Sequence, residues 1–222
     1  MVETKIIILD QQEIVYKIHY KRIKNCYLRV EKGEVVIRCS PLFPQSEIEK
    51  LIRNHQEEIF EQIKGYVPKY NYQEDGYVYL FNQKYQIVLK DMNIKKCAIH
   101  DRQIYVYSKN IQATIEMFLK QELMNHLKER IDFYLSTSFH HVFPEIQIKK
   151  MKRRWGACFY QKNRVCFNLV LAHIDYALID YVIVHELCHF LEANHSKAFY
   201  HEIEKRMPDY KERERLLKDV GI

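Results

Sequence analysis

The run Asp175-Tyr176-Ala177-Leu178-Ile179-Asp180-Tyr181-Val182-Ile183-Val184-His185-Glu186-Leu187-Cys188-His189-Phe190-Leu191-Glu192-Ala193-Asn194-His195 decides how this chain is read. Wound as a helix, it is apolar nearly all round through Leu178, Ile179, Val182, Ile183, Val184, Leu187, Phe190 and Leu191, as a helix inside a core must be. Asp175 is a suitable N-cap, and the helix is expected to reach about Glu192. Within it His185-Glu186-Leu187-Cys188-His189 forms an H-E-x-x-H motif. Residues four apart on a helix lie about 6 Å from each other on one line, so both imidazoles can reach a single ion. Glu186 falls on the flank of that line, suited to touch a water at the ion rather than the ion.

Two histidines and a glutamate are costly to bury in an apolar helix without partners, and a metal ion is a partner that satisfies all three. The bland alternative is a buried helix whose imidazoles are satisfied by carboxylates and backbone carbonyls. His195, ten residues after His185, stands where a turn at the helix end can return a third nitrogen. Glu192, Glu202 and Glu204 are rival third ligands, with His195 preferred. The expected centre is therefore one Zn2+ ion on His185, His189 and His195, with Glu186 as the general base that takes the proton of the attacking water. His100, His140, His141, His173 and His201 lack comparable spacing and read as surface or packing residues.

Upstream of this helix, three strands are expected after Pro144: Gln147–Met151, Arg154–Tyr160 and Arg164–Leu171. Before them, Ile115, Phe118, Leu119, Leu123, Leu127, Ile131 and Leu135 recur at helical spacing, predicting a long helix from Ile111 to roughly Ser136. The first hundred residues read as strands with one helix. Lys5–Leu9 and Ile14–His19 are short strands, and Asn25–Glu31 and Glu34–Ser40 alternate around Lys32-Gly33 as a hairpin. Ser46 and Glu49 suggest a capping box opening a helix to about Lys64, ended by Gly65 and Pro68. Strands return over Tyr77–Tyr107, with turns near Asn82-Gln83 and His100–Arg102. The fold class is α+β, and the change of character near residues 108–110 divides it into a strand-rich module, 1–108, and a metal-bearing domain, 109–222.

Composition sets outer bounds. Of 222 residues, 47% are apolar and 29% charged, which is the balance of a globular protein. No stretch approaches the roughly 18–20 apolar residues that cross a bilayer, and Met1-Val2-Glu3-Thr4-Lys5 lacks signal-peptide organisation, so a cytoplasmic protein without membrane contact is expected. In that compartment the six cysteines are expected as thiols. Hairpin register would place Cys26 opposite Cys39, and a three-residue turn at Gln161–Asn163 would place Cys158 opposite Cys166. The formal charge of +6 is modest, with one basic concentration at Lys149-Lys150-Met151-Lys152-Arg153-Arg154, read first as a solvated strand face. Trp155 either anchors the sheet or walls a substrate cleft beside Arg154. Asn168 needs a hydrogen-bond partner, either a loop or a ligand histidine.

Several segments occur in order at a familiar spacing: Arg154-Trp155-Gly156-Ala157-Cys158, Phe167-Asn168-Leu169, Ile179 to His189, Asn194-His195-Ser196-Lys197-Ala198-Phe199 and Pro208-Asp209-Tyr210-Lys211-Glu212-Arg213. Together they resemble the YgjP-like metallopeptidase domain family (DUF45, M48-like), related to SprT-type zinc proteases. The resemblance extends more weakly to Lys21-Arg22 through Arg38 and to Ser46–Lys64. It implies a zincin-like core in which a small sheet lies over the metal-bearing helix, with His185, His189 and His195 as ligands and Glu186 as base. This sequence has Ala157 where the family usually has Ser, Cys188 where it has a small residue such as Ala, and Tyr200 where it has Trp. Peptidases of this architecture hold an extended substrate against an edge strand, for which Arg164–Leu171 is the candidate. The implied substrate is a peptide or protein. Alternatives are hydrolysis of a nucleotide phosphoanhydride (a nucleoside triphosphate pyrophosphatase), SprT-like proteolysis of nucleic-acid-bound proteins, and a structural metal site without turnover.

Overall fold

Strand alternation in the first forty residues produces a four-stranded sheet. In the computed structural model, which describes residues 2–31, 33–65, 68–92 and 94–221, β1 (Val2–Leu9) and β2 (Gln12–Tyr20) pair antiparallel. The hairpin partners β3 (Tyr27–Glu31) and β4 (Glu34–Cys39) pair antiparallel as expected, in the order β1-β2-β4-β3. Lys32 of the expected turn lies outside the described residues. The expected single helix is two: α1 (Gln45–Asn54) and α2 (Gln56–Gly65), broken at His55, whose backbone leaves the helical region at φ −114° and ψ 20°. The expected capping box is absent. The helix begins two residues earlier, after Pro44, whose side chain offers no cap, and Glu49 instead accepts from Gln45 Nε2 at 2.7 Å. Ile48, Ile52 and Ile59 from these helices close a core with Ile7, Leu9, Tyr16, Ile18, Val35 and Ile37 from the sheet.

The chain divides into compact units at Met1–Pro68 and Lys69–Ile222, forty residues before the boundary expected from the change of character. The reason lies in packing. Strands β5 (Tyr70–Asn71), β6 (Tyr77–Leu80), β7 (Gln83–Leu89), β8 (Lys96–His100) and β9 (Gln103–Tyr107) form a sheet ordered β5-β6-β7-β9-β8. Its Val78, Leu80, Ile87, Ile104 and Val106 share one buried cluster with the long helix α3 (Ile111–Tyr134) and the segments after it. Strand composition marked a module; the core that the strands join marks a different one.

Helix α3 follows its apolar periodicity, capped by Asn110, whose side chain accepts from the Ala113 amide at 3.1 Å. Then come β10 (Glu145–Lys149), β11 (Gly156–Phe159) and β12 (Arg164–Asn168), a three-stranded sheet ordered β10-β12-β11 with β10 parallel and β11 antiparallel to β12. Residues 164–168 thus form the central strand, and β11 is an edge. This overturns the expectation that Arg164–Leu171 is the edge. The loop from β11 to β12 holds four residues rather than three, so Cys158 pairs with Val165 and points to the face opposite Cys166. All six cysteines are free thiols. A 3-10 turn, Leu169–His173, leads to α4 (Tyr176–Cys188), and α5 (Lys197–Arg206) and α6 (Tyr210–Val220) follow. Helix α4 packs on α3, β11, α5 and α6, with Ile179, Ile183, Val184 and Leu187 fully buried. Each such side chain contributes about 1.5–3 kcal/mol by leaving water. The fold class is α+β, and no helix among the described residues is long and apolar enough to cross a membrane.

Candidate metal centre

Asp175 caps α4 as its type and position require, accepting from the Ala177 amide at 2.8 Å. One turn on, Asp180 receives a two-pronged grip from Arg130 of α3, with Nε and Nη2 at 2.8 and 2.7 Å. This fixes α4 five residues before His185. The helix ends at Cys188, four residues short of Glu192, because the chain tightens there: Phe190 N–H donates to Leu187 O and Leu191 N–H to Cys188 O. His189 sits just past the last helical residue and keeps helical backbone angles, so the four-residue spacing still aligns it with His185.

The chain then reverses, and Ser196 starts α5 by accepting from the Phe199 amide at 3.3 Å. That reversal returns His195. Its Nε2 stands 3.0 Å from His185 Nε2, and one ring nitrogen from each of His185, His189 and His195 lies within 4.8 Å of the others. Phe199, fully buried, packs against all three rings at 5.0, 4.6 and 4.8 Å between centroids and stacks on His189 with the ring planes 29° apart. His189 Nδ1 lies 3.2 Å from the Glu192 carbonyl, which can only accept. Nδ1 therefore carries the proton and Nε2 is left with its lone pair for a cation. Burial, followed by the neighbouring His189 and His195, pushes the His185 imidazole down to about 3, which keeps it neutral and able to ligate. Three imidazole nitrogens converging on one point, two of them 3.0 Å apart, fit a cation, and no other cluster of this kind occurs among the described residues.

None of the rival carboxylates belongs to the cluster of ligating atoms found among the described residues. Glu202 is paired with Lys205 and Arg206, both at 2.6 Å; Glu192 contributes its carbonyl to His189; Glu204 is exposed on α5. Glu186 is 5% exposed and lies against β11. A Cβ added to Gly156 would stand 2.5 Å from Glu186 Oε1, closer than real Cβ atoms approach anything, so any other residue there forces the carboxylate or the strand to shift. Burial raises the Glu186 carboxyl to about 8, against the opposing pull of a Cys158 backbone hydrogen bond and the Arg154 charge.

Asn168 proves to serve a loop and no histidine: its side chain bonds the backbones of Met151, Arg154 and Val170. Trp155 is partly buried and packed on the core, an anchor for the sheet. Arg154 is exposed two residues before Gly156. His173, buried, hydrogen-bonds the Tyr79 carbonyl at 2.6 Å, a packing residue as expected. Sequence reasoning missed Gly156 and Phe199 as parts of the site; both stood inside recognisable segments, but neither carries chemistry that spacing alone could flag.

The metallopeptidase zymogen of Pyrococcus abyssi abylysin is 17% identical, covering 42% of this chain and 94% of its own with a TM-score of 0.39. The zymogen of Methanocaldococcus jannaschii jannalysin is 24% identical, covering 42% and 96% with a TM-score of 0.38. No curated protein matches the chain significantly. Residues 24–220 match the model of the YgjP-like, metallopeptidase domain, and with nearly its whole length inside that match the chain belongs to the YgjP-like metallopeptidase family.

Proposed function

We propose that the chain is a zinc-dependent peptidase whose single ion is held by His185, His189 and His195 and whose general base is Glu186. Family membership makes it a peptidase-type hydrolase acting on a protein or peptide. The observation that carries the finer reading is the convergence of three imidazole nitrogens beside a buried carboxylate that lies where a side chain at residue 156 would otherwise stand. A bound zinc ion supplies Lewis acidity and brings the pKa of water towards neutrality. Burial raises the Glu186 carboxyl to about 8, and the charge of an ion held by the neighbouring histidines would favour its ionised form, in which the carboxylate can receive the proton of the attacking water and pass it to the leaving amine. Phe199 and the Glu192 carbonyl hold the rings in place, so little reorganisation accompanies the reaction. The edge strand β11 offers its unpaired backbone to an extended peptide that passes in front of Glu186.

Glu186→Gln preserves shape and removes the base. The variant is expected to bind zinc like the wild type and to lose casein cleavage by about 10²-fold or more. Nucleoside triphosphates assayed beside casein complete the test: phosphate release in place of peptide cleavage would reject the peptidase chemistry in favour of phosphoanhydride hydrolysis.

A further inference from the structure

The segment joining β10 to β11 is ordered by one buried side chain. Asn168, 2% exposed, commits its whole side chain to ordering backbone: Oδ1 accepts from the Met151 and Val170 amides, and Nδ2 donates to the Met151 and Arg154 carbonyls, both at 2.8 Å. Its own N–H donates to the Trp155 carbonyl at 2.8 Å. The segment is thus held at Met151, Arg154 and Trp155, and the next residue, Gly156, lies against the Glu186 carboxylate.

On this fixed backbone stand Lys152, Arg153 and Arg154, all exposed, after Lys149 and Lys150 at the end of β10. Lys150 is paired with Glu116 at 2.6 Å. Among the described residues the other four have no such partner. A solvated strand face does not describe them, because only Lys149 and Lys150 adjoin a strand and the rest ride on the pinned loop. Like charges fixed close together repel, and an anionic partner relieves that cost.

The position of the loop specifies the partner. β11 begins at Gly156, beside Glu186, and the cationic loop immediately precedes it. Antiparallel pairing is the commoner mode of strand addition. A peptide running antiparallel to β11 passes Glu186 first and the loop afterwards, which brings residues C-terminal to the scissile bond over Lys152, Arg153 and Arg154. We propose that this loop is a specificity subsite that selects peptides with carboxylate side chains just C-terminal to the cleaved bond. The inference rests on the peptidase reading given above and adds the substrate class to it.

The test uses quenched fluorescent peptides built on a casein cleavage site mapped by mass spectrometry, identical except for Glu-Glu, Gln-Gln or Lys-Lys after the scissile bond. With the zinc-loaded full chain, kcat/KM for the Glu peptide should exceed that for the Gln peptide by about fivefold, with the Lys peptide lowest. The preference should shrink towards one at about 0.5 M salt, where exposed charges are screened. In a chain carrying Lys152→Ser and Arg153→Ser, the Glu-to-Gln ratio should fall close to one. That ratio is internal to each enzyme, so a change in overall rate or folded fraction does not enter it. Equal cleavage of Glu and Gln peptides at low salt, an unchanged ratio in the double variant, or a preference only for acidic residues N-terminal to the bond would each overturn the proposal. So would a single-stranded oligonucleotide that blocks cleavage of the Gln peptide while Glu and Gln peptides are cut alike, which assigns the charges to nucleic acid. If the wild type cuts no peptide faster than Glu186→Gln does, the peptidase reading itself fails and this inference falls with it.

Discussion

Gly156 shows how one missing side chain makes room for a reaction. A methyl group there meets Glu186 Oε1, Cδ and Cγ at 2.5–2.8 Å, so something must shift, and β11 is hydrogen-bonded to β12 while Glu186 is only 5% exposed on a packed helix. Gly156→Ala should therefore displace the carboxylate by a few tenths of an ångström or more. The expected result is a fall in kcat of about 10²-fold with unchanged zinc stoichiometry, since the three atoms nearest a Cβ at residue 156 all belong to Glu186 and none to a histidine. Steady-state kinetics beside metal analysis of the same preparation read both. The histidines were legible in the sequence because helical spacing is local: His185 and His189 had to share a line wherever the helix went. Gly156 and Phe199 were not, because their roles arise from contacts across 30 residues in one case and from a chain reversal in the other.

At the scale of elements, α4 is held by a side-chain clamp as well as by its apolar surface. The Arg130–Asp180 pair is bidentate and mostly shielded, and the Tyr134 hydroxyl also donates to Asp180 at 3.2 Å. Arg130→Met leaves that carboxylate short of its main partner and should cost about 2 kcal/mol in urea unfolding. Combined with Asp180→Leu, the loss should be less than the sum of the two single losses; strict additivity would show that the pair is not coupled. His173 ties the turn after β12 to β6 through the Tyr79 carbonyl. Burial is the main cause that holds its imidazole below the ordinary value near 6.5. A histidine depressed in the folded state binds protons more readily when unfolded, so its contribution is full above about pH 6.5 and is lost as the pH falls below that. Stability should drop by about 1 kcal/mol per pH unit below about pH 6, and His173→Asn, which cannot take a proton, should show a shallower slope in chemical denaturation. Long or strictly alternating segments, such as α3 and the β3–β4 hairpin, could be read directly. The helix break at His55 and the four-residue loop before β12 could not, because each depends on one or two backbone angles that composition does not dictate, including the left-handed Asn163 at φ 44°.

For the molecule as a whole, the boundary at Pro68 and the central place of β12 carry the same lesson. Which strand lies at an edge, and which core a sheet joins, are decided by partners distant in sequence, and patterns within a segment are silent about them. The site escapes that limit because its chemistry is concentrated in one helix and the turn that follows it, from His185 to Phe199. The most direct measurement is zinc-edge X-ray absorption on the full chain, combined with elemental analysis. It should find one zinc per chain with three imidazole nitrogens at about 2.0–2.1 Å and one further light ligand from solvent. A chain that holds no zinc after metal-free purification and zinc addition, or an ion enclosed by four protein ligands, would contradict the account.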